Sequence, residues 1–133
     1  MNDVTIFWNC VTLFASTASS LYHPKYLLKN IAMGKSKRIS AFLTCIIACE
    51  KCITHCIKAG NQECVRLCLD CADICALCVR LEARNSQFSK DMLALCTKVC
   101  EACAEECNKH SNNHETCKDC AIACTQCAAT TCE

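Results

Sequence analysis

The cysteines of this chain repeat with the period of an α-helix. The stretch CIIACEKCITHC, residues 45–56, spaces four thiols at steps of four, three and four residues. At about 100° per residue, these steps keep every thiol on one helical face. The same spacing recurs in four blocks, which predicts four helices that each carry a stripe of sulfur. The blocks are Cys45, Cys49, Cys52, Cys56; Cys64, Cys68, Cys71, Cys75, Cys78; Cys96, Cys100, Cys103, Cys107; and Cys117, Cys120, Cys124, Cys127.

Composition argues against a disulfide scaffold. The chain has 133 residues and 19 cysteines, but only two glycines and one proline. Small disulfide-rich domains are rich in loops, and an odd number of cysteines leaves at least one thiol unpaired. The net charge of +1 gives no indication of a nucleic-acid partner or of an anionic membrane surface.

Short connections between the blocks predict how the helices are arranged. Gly60 and Asn61, then Asn85, then residues 111–113 separate the four stripes, and Asn112 with Glu115 resembles a capping box. Such short turns force neighbouring helices to run antiparallel. The first block repeats as the third, and the second as the fourth. We therefore predict an all-α fold, an antiparallel up-down-up-down four-helix bundle with a cysteine-lined core.

The bundle is predicted to occupy residues 36–133, after an N-terminal extension of uncertain status at residues 1–35. TIFWNCVTLFASTASS, within the extension, resembles a short hydrophobic leader, but Asp3 and the absence of early basic residues argue against a signal peptide. The segment is too short and too polar to span a bilayer, so no membrane partner is expected. Cys10 and His23 have no assigned role.

The two ends of the bundle are predicted to differ in chemistry. His110 and His114 continue the thiol stripes at one end and are candidate metal ligands, while His55, at the edge of its stripe, is left open. At the other end the stripes continue into hydrophobic residues, which predicts a closed end. These are Ile39, Phe42, Leu81, Phe88 and Met92.

Copper(I) fits this thiol pattern better than other metals. It is soft, prefers thiolate and accepts two or three sulfur ligands, and one Cu(I) per thiolate keeps a buried core close to neutral. Thiols four residues apart on a helix can chelate one such ion. Two alternatives stay open: a zinc or mixed-metal thiolate buffer, and a disulfide-linked helical protein. Thiols surrounded by other thiols form a set of metal ligands and not an activated nucleophile, so no enzymatic activity is expected.

Four cysteine-striped helices, the run CKDCAIACTQCA and the histidines at one end resemble the bacterial copper storage proteins. The resemblance covers roughly residues 36–132. It implies storage of multiple Cu(I) ions per chain, metal uptake at His110 and His114, and assembly as a homo-oligomer, typically a tetramer. Because the chain has no Arg-Arg before its first helix, it resembles the cytoplasmic type, for which we expect a copper chaperone as donor. Thr131 stands where the family tends to have its last cysteine, so a ligand role of Cys132 stays open.

Overall fold

Four α-helices make up the part of the chain that the structure, a computed structural model, describes: residues 25–132, with side chains from residue 32 onward. The helices are α1 (Lys25–Ala59), α2 (Gln62–Ala83), α3 (Ser89–Asn108) and α4 (Glu115–Thr131). The predicted all-α class and the four striped helices are confirmed. The chain divides into two compact units, residues 1–32 and residues 33–133, and the sulfur stripes all belong to the second. The predicted boundary after residue 35 stays a prediction.

Sulfur contacts between the helices run in opposite directions along each neighbouring pair, as an antiparallel bundle requires. In each pair, cysteines nearer the C-terminal end of one helix contact cysteines nearer the N-terminal end of the other helix. The contacts are Cys45–Cys71 and Cys52–Cys64 between α1 and α2, Cys64–Cys107 and Cys75–Cys96 between α2 and α3, and Cys45–Cys124 and Cys56–Cys117 between α1 and α4. The core therefore lies along the bundle axis, where all four stripes meet.

The first two helices end as the turn residues predict. Gly60 has φ 77° and Asn85 has φ 54°, left-handed conformations that glycine and asparagine tolerate best. The amide of Asn61 donates to the carbonyl of Cys56 at 3.0 Å, and that of Ser86 to the carbonyl of Leu81 at 3.0 Å. These bonds close Schellman motifs that satisfy the last carbonyls of α1 and α2.

The predicted capping box at Asn112 and Glu115 is wrong. The structure starts α4 at Glu115, with His114 as its N-cap residue and no side-chain capping bond. The amides of Asn113 and His114 both donate to the carbonyl of His110, at 3.2 and 3.1 Å. The segment after α3 is thus occupied by hydrogen-bonded turns, and α4 begins too late for Asn112 to cap it.

Hydrophobic side chains close the end of the bundle away from the α1–α2 and α3–α4 turns. Phe42 is 0% exposed and Leu81 7% exposed, while Met92 packs against the core cluster and Ile39 is half-buried. Phe88 is 59% exposed, so its predicted place in this closure is wrong. It lies in the turn just before α3, where its side chain faces solvent.

A partly buried ion pair, which the sequence did not indicate, joins α1 to α2 at the closed end. Arg38 Nη2 and Nε donate to Glu82 Oε2 at 2.8 and 3.0 Å, and Glu82 is buried.

Residues Ala32–Ala59 of α1 are long and apolar enough to cross a membrane by length and composition. Core helices pass the same test, and the cysteines of this helix are all buried in the bundle.

Candidate metal centre

All the cysteines of the four predicted stripes lie in the core. Each is 0 or 1% exposed, and each carries a free thiol. The helical period accounts for this burial, because it keeps every thiol of a block on the face that points towards the bundle axis. The predicted placement of these 17 side chains is confirmed; their role as ligands is taken up below.

Most of the close sulfur contacts join different helices. Cys45 Sγ, for example, lies 3.6 Å from Cys71 Sγ on α2 and 3.6 Å from Cys124 Sγ on α4. Of the predicted pairs four residues apart on one helix, three have sulfurs within 4.0 Å: Cys52–Cys56, Cys96–Cys100 and Cys120–Cys124. The four stripes converge on one axis, so a thiol finds its neighbours across the core as well as along its own helix.

In the described part of the chain, the sulfurs group into five overlapping sets of four, within which all Sγ atoms lie within 4.8 Å of one another. Neighbouring sets share cysteines, so the sulfurs form a continuous column. The sets are Cys45, Cys75, Cys100, Cys127; Cys45, Cys49, Cys71, Cys124; Cys49, Cys68, Cys103, Cys120; Cys52, Cys64, Cys68, Cys107; and Cys52, Cys56, Cys64, Cys117. Cys96 extends the column beyond Cys75 at 3.8 Å, and Cys78 donates to the Met92 carbonyl at 3.7 Å.

These distances suit a metal ion that binds two or three thiolates. With a metal–sulfur bond of about 2.3 Å, two sulfurs on opposite sides of one ion are about 4.6 Å apart. Small side-chain rotations from contacts of 3.6 to 4.0 Å reach that separation. Most of these sulfurs have more than one such neighbour, as Cys45 has in Cys71 and Cys124, so a thiolate can bridge successive ions along the column.

Burial favours the neutral form of the thiols in this core when no metal is bound. Burial raises the pKa of the Cys64 and Cys117 thiols above their ordinary value, because a thiolate would lose its hydration. Among the described residues, the buried charged side chains are Glu82 and Glu106, so no buried lysine or arginine balances a thiolate. A bound cation has to supply the compensating positive charge.

His55 of α1 and His114, the N-cap residue of α4, meet at the end of the bundle that holds the α1–α2 and α3–α4 turns. The rings of His55 and His114 lie with centroids 4.4 Å apart and planes tilted by 57°. Both histidines are close in sequence to a core cysteine, because His55 is next to Cys56 and His114 is three residues before Cys117. The Sγ atoms of Cys56 and Cys117 are 3.6 Å apart. His55 Nε2 is buried and has no hydrogen-bond partner, which leaves it available to a ligand.

His110 has a different environment from His114. Its Nε2 lies 3.3 Å from Glu106 Oε1, while Glu106 Oε2 accepts a hydrogen bond of 2.6 Å from Lys109 Nζ. That bond from Lys109 is the largest cause that lowers the pKa of Glu106. Both predicted histidines thus lie at the turn end of the bundle, but the ring partner of His114 is His55. Glu106 was not among the predicted site residues, although its spacing of four residues from His110 was a signal for it.

Cys132 lies outside the sulfur column. It is exposed and follows α4 as its C-cap residue, while the preceding Thr131 hydroxyl lies 2.6 Å from that of Thr97. Cys10 and His23 fall outside the described residues.

A four-helix bundle with a continuous column of buried thiols defines a class of protein, the multi-metal thiolate binders with a folded core. The family model described as copper storage protein matches residues 32–133. The chain therefore belongs to the copper storage protein family, which confirms the resemblance seen in the sequence.

Relatives of the chain agree with this assignment. The Bacillus subtilis (strain 168) protein YhjQ, described as an uncharacterized cysteine-rich protein, is 45% identical over 94 residues, which is 68% of this chain and 85% of YhjQ. The Cu(I)-bound copper storage protein BsCsp3 has a TM-score of 0.70 and 40% identity, over 74% of this chain and 94% of its own. A cytosolic copper storage protein from Streptomyces lividans, with five coppers, has a TM-score of 0.73 and 30% identity, over 77% and 92%.

Proposed function

We propose that this chain stores copper by binding multiple Cu(I) ions to the thiolates of its core cysteines. The observation that carries the proposal is the continuous sulfur column, to which all four helices contribute. Solved relatives with this fold are described as Cu(I)-bound and as carrying five coppers. Copper storage requires no catalytic group, and we assign none.

Charge favours Cu(I) over zinc in this column. A divalent ion with four thiolates has a net charge of −2, and a core without buried lysine or arginine offers nothing to offset it. One Cu(I) per thiolate leaves each unit neutral. The zinc or mixed-metal alternative is for this reason not favoured, although zinc readily forms four-thiolate sites elsewhere.

The turn end of the bundle is the proposed entrance for copper. His110 and His114 lie there, as the sequence predicts, and the structure adds His55 as the ring partner of His114. Imidazole nitrogens near solvent can accept Cu(I) and pass it to the Cys56–Cys117 contact below. Phe42 and Leu81 block the opposite end.

A cytoplasmic homo-oligomer is the proposed working form, with a copper chaperone as donor. The Streptomyces lividans relative is described as cytosolic, which supports the location. Ile47 and Ile122 are 57% and 48% exposed beside a groove between α1 and α4 that Ala48 and Ala123 also line. The two exposed isoleucines support association of copies, and a tetramer is the state implied by the resemblance.

Reversible loading tests storage directly. The reduced protein is loaded with Cu(I) under anaerobic conditions, stripped with an excess of a high-affinity Cu(I) chelator, and loaded again. A store returns its copper and takes up the same amount in the second cycle. Copper that the chelator cannot remove, or a protein that loses its capacity after one cycle, contradicts storage.

A further inference from the structure

Glu106 is a buried carboxylate at the turn end of the bundle to which the storage function assigns no role. It is 9% exposed and precedes the core residue Cys107 in α3. A buried carboxylate is costly unless hydrogen-bond donors surround it. Glu106 has two, His110 Nε2 at 3.3 Å on Oε1 and Lys109 Nζ at 2.6 Å on Oε2. Each oxygen is therefore committed to a different neighbour.

The contact with Glu106 determines which nitrogen of His110 is free. A neutral imidazole has one N–H group and one nitrogen with a lone pair. An ionised carboxylate only accepts hydrogen bonds, so Nε2 must carry the hydrogen in this contact. The lone pair then resides on Nδ1, the other ring nitrogen.

We propose that Glu106 is a positioning residue of the copper entrance, which holds the Nε2 side of the His110 ring so that Nδ1 meets the arriving Cu(I). Metal-binding histidines commonly donate their second ring N–H to a carboxylate, which fixes the ring and raises the basicity of the ligand nitrogen. Lys109 supports the arrangement, because it occupies Oε2 and leaves Oε1 to His110. The inference rests on the proposed function, since it presumes that copper enters at this end.

The tautomer of His110 tests the inference without any metal. In the reduced, metal-free protein labelled with ¹⁵N-histidine, long-range ¹H–¹⁵N correlation spectra distinguish Nε2–H from Nδ1–H rings. We expect Nε2–H for His110 in the wild type and in Glu106→Gln, whose amide oxygen can still accept the bond. Glu106→Ala should give a mixture of tautomers. A wild-type His110 that is mainly Nδ1–H overturns the proposal.

Uptake kinetics test the consequence for copper. Stopped-flow loading from a Cu(I)–chelator complex should slow by about tenfold in Glu106→Ala, the lower range for loss of such a supporting carboxylate. Glu105→Ala is the matched control, because it removes the same charge from the neighbouring, exposed position. It should load at the wild-type rate. Equal slowing in both variants, or faster loading in Glu106→Ala, contradicts a positioning role.

A double variant tests the positioning role of Glu106 separately from the proposed storage of copper. If Glu106 acts through His110, adding Glu106→Ala to His110→Ala should change the loading rate no further. Independent, additive effects reject the inference. Total capacity, measured by Cu(I) titration, should be unchanged in every variant, so a low capacity in the wild type would count against the storage function instead. If Glu106→Ala does not fold by circular dichroism, the wild-type and Glu106→Gln tautomers still decide the question.

Discussion

At the scale of the residue, the cysteines combine two roles that most proteins assign to different side chains. As neutral thiols they are small, apolar and easily buried, and all the stripe cysteines are buried. As thiolates they are soft ligands for Cu(I). Burial favours the neutral thiol and a bound cation favours the thiolate, so the core cysteines ionise when the metal binds.

The histidines of the turn end should control the rate of copper uptake and leave the amount unchanged. Replacing His110 and His114 by alanine should slow both loading and removal, because the thiols that hold the metal are untouched. Stopped-flow exchange with a Cu(I)–chelator complex measures both. Asn112→Ala, an exposed change in the same connection, is the control.

A wild-type rate in the double histidine variant, together with a changed rate after a polar substitution at Phe42, would place the entrance at the opposite end. His55→Ala extends the test. It should also slow uptake, because the ring of His55 lies against that of His114.

These histidines show how far residue-level prediction reaches. The stripe register placed His110 and His114 at the correct end of the bundle, since helical periodicity fixes the face and the turns fix the direction. It could not give the contact of His114 with His55, which depends on how α1 and α4 are rotated against each other. Nor did it identify Glu106, whose burial depends on the packing around α3 and not on the cysteine pattern.

At the scale of the element, each helix is specified by its stripe, and the ends are specified by local turn chemistry. The thiol period predicted all four helices, and Gly60 and Asn85 marked two of their ends correctly. The same reasoning failed for Asn112, because α4 starts at Glu115 with His114 as its N-cap residue. Phe88 was predicted to help close one end of the bundle, but it is exposed in the turn before α3. The start of α1 at Lys25 was not predicted either, since no thiol stripe marks that part of the helix.

The Arg38–Glu82 pair should stabilise the contact of α1 with α2 at the closed end. Its side chains are 22% and 5% exposed, so Arg38→Ala leaves a buried carboxylate without its charged partner. We expect a loss of about 3 kcal/mol in the free energy of unfolding of the metal-free protein. Urea denaturation followed by circular dichroism measures it.

An exposed ion pair provides the control for this prediction. Arg66 and Glu63 are 3.5 Å apart with side chains 71% and 61% exposed, and such pairs contribute at most about 1 kcal/mol. Arg66→Ala should therefore have a small effect. Similar losses in both variants would mean that burial of Glu82 is not what makes the closed-end pair important.

At the scale of the whole molecule, the bundle has to fold both without and with metal. Neutral thiols pack as a compact core, and short connections limit the entropy lost on folding. We therefore expect the reduced, metal-free protein to be helical already. The metal then fills a column that the fold has formed, and its binding releases protons from the thiols.

This view predicts how the stability of the metal-free protein depends on pH. Burial raises the pKa of thiols such as Cys64 and Cys117 above the ordinary value of 9.0, so the folded state holds their protons more tightly than the unfolded state. Their stabilising contribution is complete below about pH 9 and is lost as the pH rises towards the folded-state pKa. The melting temperature of the reduced protein should therefore be lower at pH 10 than at pH 7.

Circular dichroism melts at the two pH values measure this difference. Copper should reduce it, because bound thiolates have already given up their protons, and copper affinity should weaken as the pH falls. A metal-free protein that melts at the same temperature at both values would mean that its thiols are not held neutral by burial.

The central claim is that the thiol column as a whole binds copper, and the most direct test is an anaerobic titration of the reduced protein with Cu(I) against a calibrated chelator. The account predicts saturation near one copper per core cysteine, about 17 per chain, with zinc unable to compete. Saturation at roughly four ions or fewer, the number that separate four-thiolate sites permit, with zinc competing effectively, would contradict it.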